Sequence, residues 1–137
     1  MIVDSNIFLD IFGPEGEQSL RVRNALEALS LDAQPCINPI IFAEISPGFE
    51  DCGLLERLLE GFNVKFVGLS AAHAFRAGQA FRTYRLNGGP RTSLIPDFLI
   101  GAQAAINGWP ILTRDPKRFA SYFPEVELID PMQVPDD

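Results

Sequence analysis

Five short apolar runs, each followed or preceded by a stretch of helical period, constrain this chain more than any other feature. The runs are Ile2-Val3, Pro35-Cys36-Ile37-Asn38, Val64 to Val67, Pro110-Ile111-Leu112-Thr113 and Val126-Glu127-Leu128-Ile129. Each is of strand length and bounded by turn-forming residues. Between them lie helices. Ser5 to Phe12 is opened by Ser5 or Asn6 as a cap and broken by Gly13-Pro14-Glu15-Gly16. Leu20, Ala25, Leu26, Leu29 and Leu31 mark an amphipathic face, with Val22 off it. Pro39 suits the first turn of a helix running to Ile45, which Pro47-Gly48 ends. Leu54 to Leu59 stops at Gly61, and Ser70 caps a long helix that ends at Asn87-Gly88-Gly89-Pro90. Pro96-Asp97 starts a helix through Ile106, closed by Asn107-Gly108. Strands alternating with helices predict the α/β class, a central and mainly parallel sheet flanked by helices on both faces. With 137 residues, no internal repeat and no long linker, residues 1–137 read as a single domain.

Composition narrows the function. Apolar residues at 47% and charged residues at 21% exclude intrinsic disorder. No apolar run approaches the ~18–20 residues of a transmembrane helix. The opening Met1-Ile2-Val3-Asp4 lacks the basic segment of a signal peptide, and Asp4 and Asp10 interrupt its apolar stretch, so a cytoplasmic protein with no membrane partner is expected. Cys36 and Cys52 have neither zinc-site nor disulfide spacing and read as small buried hydrophobes. The net charge of −7 excludes a globally basic nucleic-acid binder. The charge is uneven, however. Gly61 to Pro96 contains no Asp or Glu and carries Lys65, Arg76, Arg82, Arg85 and Arg91, while the other 101 residues hold all 18 acids and six bases. An acidic site beside a basic surface is therefore possible within one domain.

The acids are placed where a parallel sheet gathers its functional groups, beyond the carboxyl ends of the strands. Asp4 ends the first apolar run. Asp97 begins a helix, and the chain returns along the fourth run to Asp115, 18 residues later. A helix of about 11 residues descends ~16 Å, and four or five strand residues climb ~13–17 Å back, so Asp115 returns to the level of Asp97. Glu44 lies in the second turn of the helix after the second run, where it interrupts Ile40-Ile41-Phe42-Ala43-Glu44-Ile45. Four carboxylates, Asp4, Glu44, Asp97 and Asp115, can thus converge. Like charges so close repel, and no Lys or Arg adjoins Asp4, Glu44 or Asp97 in sequence. One or two hard divalent cations, Mg²⁺ or Mn²⁺, would balance them. Such a constellation suits phosphodiester hydrolysis by water. Plain alternatives stand beside it: Asp97 and Asp115 as helix caps or dipole partners, and Glu44 on an exposed helix face.

Met1-Ile2-Val3-Asp4-Ser5-Asn6, the Glu44 helix, Ile95-Pro96-Asp97-Phe98-Leu99-Ile100-Gly101-Ala102 and Leu112-Thr113-Arg114-Asp115 together resemble the PIN domain. Within that family the chain looks most like the VapC-type toxins of prokaryotic toxin–antitoxin pairs. The resemblance runs in order along nearly the whole chain. It implies a three-layer α/β/α fold and a metal-dependent ribonuclease. By it, Asp4 and Asp97 are the principal Mg²⁺ ligands, Glu44 completes the ligand set or orients water, and Asp115 binds a second ion or holds waters. Asn6 and Thr113 match polar positions that support the acids. The resemblance further implies a homodimer, a VapB-like antitoxin whose C-terminal segment covers the site, and structured RNA such as tRNA or ribosomal RNA as substrate. Gln103 stands where the family often carries His.

Arg91, in the Gly-rich loop before Asp97, and Arg114, beside Asp115, are the candidate substrate-binding residues, since the arginine fork suits phosphate. Lys117 and Arg118 either contact RNA or offset the acidic field. Arg76, Arg82 and Arg85 spread around the long helix and fit either phosphate contact or a solvated face. His73, the only histidine, lies away from the acids and suits capping, which argues against a zinc hydrolase. Trp109 suits turn packing, and Phe75, Phe81 and Tyr84 suit core or dimer packing over base stacking. Eleven Phe residues in so small a chain point to an interface. Two other classes stay open. One is a phosphatase of the haloacid-dehalogenase type, whose Asp-x-Asp pair would be Asp4-Ser5-Asn6 here with the second acid missing. The other is a non-catalytic PIN-like binding module.

Overall fold

A computed structural model describes residues 1–90 and 95–135. Strands β1 (Ile2–Val3), β2 (Cys36–Ile37), β3 (Lys65–Phe66), β4 (Ile111–Leu112) and β5 (Leu128–Ile129) form one sheet in the order β3-β2-β1-β4-β5. Every neighbouring pair is parallel, so the sheet is wholly rather than mainly parallel among the described residues. The helices are α1 (Ser5–Phe12), α2 (Glu17–Leu29), α3 (Pro39–Ile45), α4 (Cys52–Gly61), α5 (Ala71–Leu86), α6 (Ile95–Asn107) and α7 (Lys117–Ala120).

The strand order decides where a site can form. From β1 the chain steps outward to β2 and β3, crosses back to β4, then steps to β5 on the other side. Right-handed crossovers in opposite directions put α1 to α4 on one face and α5 to α7 on the other. The packing agrees: α1 lies against α2 and α3, and α6 against α5 and α7. The direction reverses between β1 and β4, and the loops leaving those two neighbours diverge and open a crevice at their carboxyl ends. Val3 pairs with Leu112 in register, so Asp4 and Thr113 emerge side by side into that crevice.

The central strands carry no alternation because both faces are covered. Ile2, Val3, Ile111 and Leu112 are all fully buried, joined in the core by Ile7 and Phe8 of α1, Val22 and Leu26 of α2, Ile41 and Ile45 of α3, and Phe98 and Ile100 of α6. Phe98 also meets Phe81, Tyr84, Tyr122 and Phe123, which gives Phe81 and Tyr84 a packing role. At Gly101 of α6 the Phe123 ring lies so close that a Cβ would sit 2.3 Å from it. Gly108, with φ of +67°, turns the chain out of α6 in a conformation that favours glycine.

Several expectations are corrected. The buried face of α2 is Val22, Ala25 and Leu26, whereas Leu20 is 59% and Leu31 86% exposed. Val22, Ala25, Leu26 and Leu29 follow the i, i+3, i+4, i+7 stripe, which leaves Leu20 on the far side. The N-cap of α1 is Asp4, not Ser5 or Asn6. Cys36 is buried as expected, but Cys52 is exposed at the start of α4. The one-turn α7 is too short to carry a periodic signal in the sequence. No helix among the described residues is long and apolar enough to cross a membrane.

Candidate active site

Asp4 anchors the crevice. It has no exposed surface. As the cap of α1, its Oδ1 accepts the Ser5 backbone N–H at 2.8 Å, which fixes the carboxylate at the end of β1. Its Oδ2 accepts the Thr113 hydroxyl at 2.8 Å and also a guanidinium N–H of Arg118. Thr113 is itself fully buried, and its oxygen accepts the Asp115 N–H at 3.0 Å and the Asn6 amide at 3.3 Å. One donor and two acceptor positions are all that a hydroxyl has, so Thr113 is saturated and ties the ends of β1 and β4 together. Asn6 continues the chain of contacts by accepting the Arg114 N–H at 3.3 Å.

The other acids arrive from three elements. Asp97, in the first turn of α6, accepts Arg118 at 3.1 Å with its side chain 15% exposed. Asp115, past β4, is half exposed and lies 3.6 Å from the Arg118 Nε. Glu44 belongs to the exposed surface of α3, but the carboxylate end meets the Ser5 side chain and feels the charges of Asp4 and Asp97. The four acids singled out in the sequence therefore come together, with Asn6 and Thr113 beneath them.

The electrostatics of the group are strained towards protonation. Burial pushes the Asp97 carboxyl above the usual range; Arg118 pulls it down, while Asp4 and Asp115 add to the rise. Burial likewise raises Glu44, then the Asp4 charge, against the Ser5 hydrogen bond; Asp97 raises it further and Arg118 lowers it. One guanidinium thus faces four carboxylates and leaves two of them disfavoured as anions.

Arg118 is the residue the sequence placed least well. It lies within reach only because the short α7 turns it back over the carboxyl ends of β1 and β4. Among the described residues no three His, Cys, Asp or Glu side chains stand ready as a metal cage, and the middle of the cluster holds the Arg118 guanidinium. The residues nonetheless fit a hard cation. Asp4 and Asp97 already share one positive group, the donors are all oxygen, and the charge they carry exceeds what that group supplies.

The remaining expected residues divide. Arg114 turns its guanidinium to Asp10, an ion pair that sequence reading missed. Arg91 lies outside the described residues. Arg76 binds Glu125 and the Tyr122 carbonyl and lies over the Phe123 ring, which holds it in a packing role. His73 joins Ser70 in a capping box for α5, and its Nε2 meets Asn107 at 3.0 Å. Gln103 is buried and bonded at both ends of its amide: it accepts the Asn38 amide at 2.9 Å and donates to the Gly68 carbonyl at 3.0 Å.

Comparison with known proteins follows the same line. The PIN domain matches residues 1–122. No curated protein matches the chain by sequence. Among solved structures, a toxin–antitoxin complex from Klebsiella pneumoniae is 24% identical with a TM-score of 0.68, covering 95% of this chain and 96% of that one. FitAcB from Neisseria gonorrhoeae is 19% identical with a TM-score of 0.70, covering 97% and 99%. VapBC2 from Rickettsia felis, bound to a DNA fragment from its promoter, is 20% identical with a TM-score of 0.72, covering 93% and 95%. At these identities the likeness is one of fold.

Proposed function

Because the chain belongs to the PIN-domain family, we propose that it is a metal-dependent endoribonuclease, a VapC-like toxin that cleaves RNA and is neutralised by a cognate VapB-like antitoxin. The observation that carries this reading is the gathering of Asp4, Glu44, Asp97 and Asp115 around one cation at the β1/β4 switch point. Asp4 and Asp97 would hold Mg²⁺ or Mn²⁺, with Glu44 and Asp115 completing one or two sites. When bound, such an ion neutralises charge on phosphoryl oxygens and makes water a stronger nucleophile at neutral pH.

The chain's own residues do the rest. Ser5 and Thr113 lock the two oxygens of Asp4, so the ligand is set before any ion arrives. Asn6 and Thr113 hold the Asp115 loop against β1. Glu44, whose carboxylate end meets the Ser5 side chain beside Asp4, completes the ligand set or orients the attacking water. Arg91 and Arg114 would meet the RNA backbone, with Arg114 leaving Asp10 to do so. The substrate class we favour is structured RNA, tRNA or ribosomal RNA. Phe75 and Leu86, 70% and 75% exposed on α5, support a homodimer through that helix. A similar fold occurs in the toxin–antitoxin complex from Klebsiella pneumoniae, which supports an antitoxin partner here.

The family assignment displaces the haloacid-dehalogenase-type reading, and Asn6, at the position of that motif's second acid, is spent on Thr113 and the Arg114 backbone. The test is cleavage of total RNA by purified protein in Mg²⁺. Wild type should cut, and EDTA or Asp97→Ala should stop it. Equal cleavage by Asp97→Ala would refute the metal assignment, and RNA binding without cleavage by wild type would leave only a non-catalytic module.

A further inference from the structure

The Asp4 carboxylate is closed to solvent, and one of the groups that close it is a partly exposed side chain. Asp4 Oδ1 is committed to the cap of α1, and Oδ2 accepts both Thr113 and Arg118. Two donors fill the in-plane lone pairs of Oδ2. Ser5 and Thr113 belong to the buried frame. Arg118 does not: its side chain is 29% exposed, it stands on a helix of four residues, and its Nε is buried with no hydrogen-bond partner, 3.6 Å from Asp115. Its hold on the site is therefore partial, and it is the one cationic side chain that contacts Asp4, Asp97 and Asp115 together among the described residues.

We propose that Arg118 is an internal counter-cation that competes with divalent metal for Asp4 and Asp97, so that metal binds only as Arg118 leaves. This rests on the metal-dependent reading of the same site and adds to it a positioning residue. In the metal-free protein the guanidinium keeps three mutually repelling carboxylates together and preserves their arrangement. The same contacts lower the apparent metal affinity, because only the fraction of molecules with Arg118 swung out is competent to bind. The site is thus kept folded at low metal and loads at a higher metal concentration than a bare carboxylate cluster would.

Titration of the metal-free full chain with Mn²⁺, read as loss of the free-ion electron paramagnetic resonance signal, tests this without reference to cleavage. Arg118→Gln should bind Mn²⁺ about tenfold more tightly than wild type, and Arg118→Lys, which keeps the charge but loses the fork, should fall between. Metal-free Arg118→Gln should also melt lower than wild type and gain more from saturating Mn²⁺. A second readout needs no variant: the Arg118 Nε–H resonance of wild type should move to the position of a free arginine as Mg²⁺ saturates. Mn²⁺ affinity that is unchanged or weaker in Arg118→Gln, or an Nε–H resonance that stays in place, overturns the proposal while leaving the metal site standing. Failure of both wild type and Arg118→Gln to bind Mn²⁺ removes the metal site and the proposal together.

Discussion

Replacing Thr113 with valine keeps shape and burial but deletes one hydroxyl, and the structure says what that hydroxyl holds. It donates to the ionised Asp4 at 2.8 Å, a bond to a charged group worth about 1.5–3 kcal/mol. It also accepts the Asp115 N–H at 3.0 Å, and that partly buried donor would lose its partner at a further cost of up to about 1 kcal/mol. The Asn6 amide, at 3.3 Å and partly exposed, can turn to water. Thr113→Val should therefore cost roughly 2–4 kcal/mol, a large share of the ~5–15 kcal/mol of a typical small protein. Thr113→Ser keeps the hydroxyl and loses one buried methyl, about 0.5–1.5 kcal/mol. Urea unfolding with unchanged slope measures both. Equal losses in the two variants would refute the reasoning, since the methyl and not the hydroxyl would then be what Thr113 contributes.

Gly101→Ala tests the packing of α6. Alanine normally favours a helix by about 1 kcal/mol over glycine, but here its Cβ would meet the fully buried Phe123 ring at 2.3 Å, and overpacking of ~1–3 kcal/mol should win; a rise in melting temperature would contradict the packing. Glu44→Gln tests the electrostatics. Glu44 binds its proton more tightly folded than unfolded, so the native state holds more protons between the two pKa values, and stability falls as pH rises through that window. Metal-free Glu44→Gln should then melt higher than wild type at pH 8, and the gap should close below the unfolded-chain value of about 4.3; a gap of the same size at both pH values would contradict the raised carboxyl.

What the sequence made legible was what local chemistry dictates. Ile2-Val3 and Ile111-Leu112 are continuous apolar runs because their strands are covered on both faces, and the acids that follow them could be placed by counting helix descent against strand ascent. Glu44 was legible as the charge that breaks an apolar run. What stayed hidden depends on contacts between distant residues. Arg118 reaches Asp4 across 114 positions, and Arg114 turns to Asp10 rather than outward, neither of which any periodicity encodes. A helix of four residues, α7, is too short to show a period, yet it is what carries Arg118 into the cluster. The assignment of Leu20 over Val22 to the face of α2 failed because one leucine outweighed the i, i+3, i+4 spacing that Val22 completes.

The central claim is that Asp4 and Asp97 are built to share a divalent cation. Anomalous diffraction at the manganese edge from crystals grown in saturating Mn²⁺ tests it most directly. The account predicts a peak bonded to Asp4 and Asp97 at the carboxyl ends of β1 and β4, with the Arg118 side chain moved off both. No peak there, with Arg118 still seated on Asp4 at saturating metal, would contradict it.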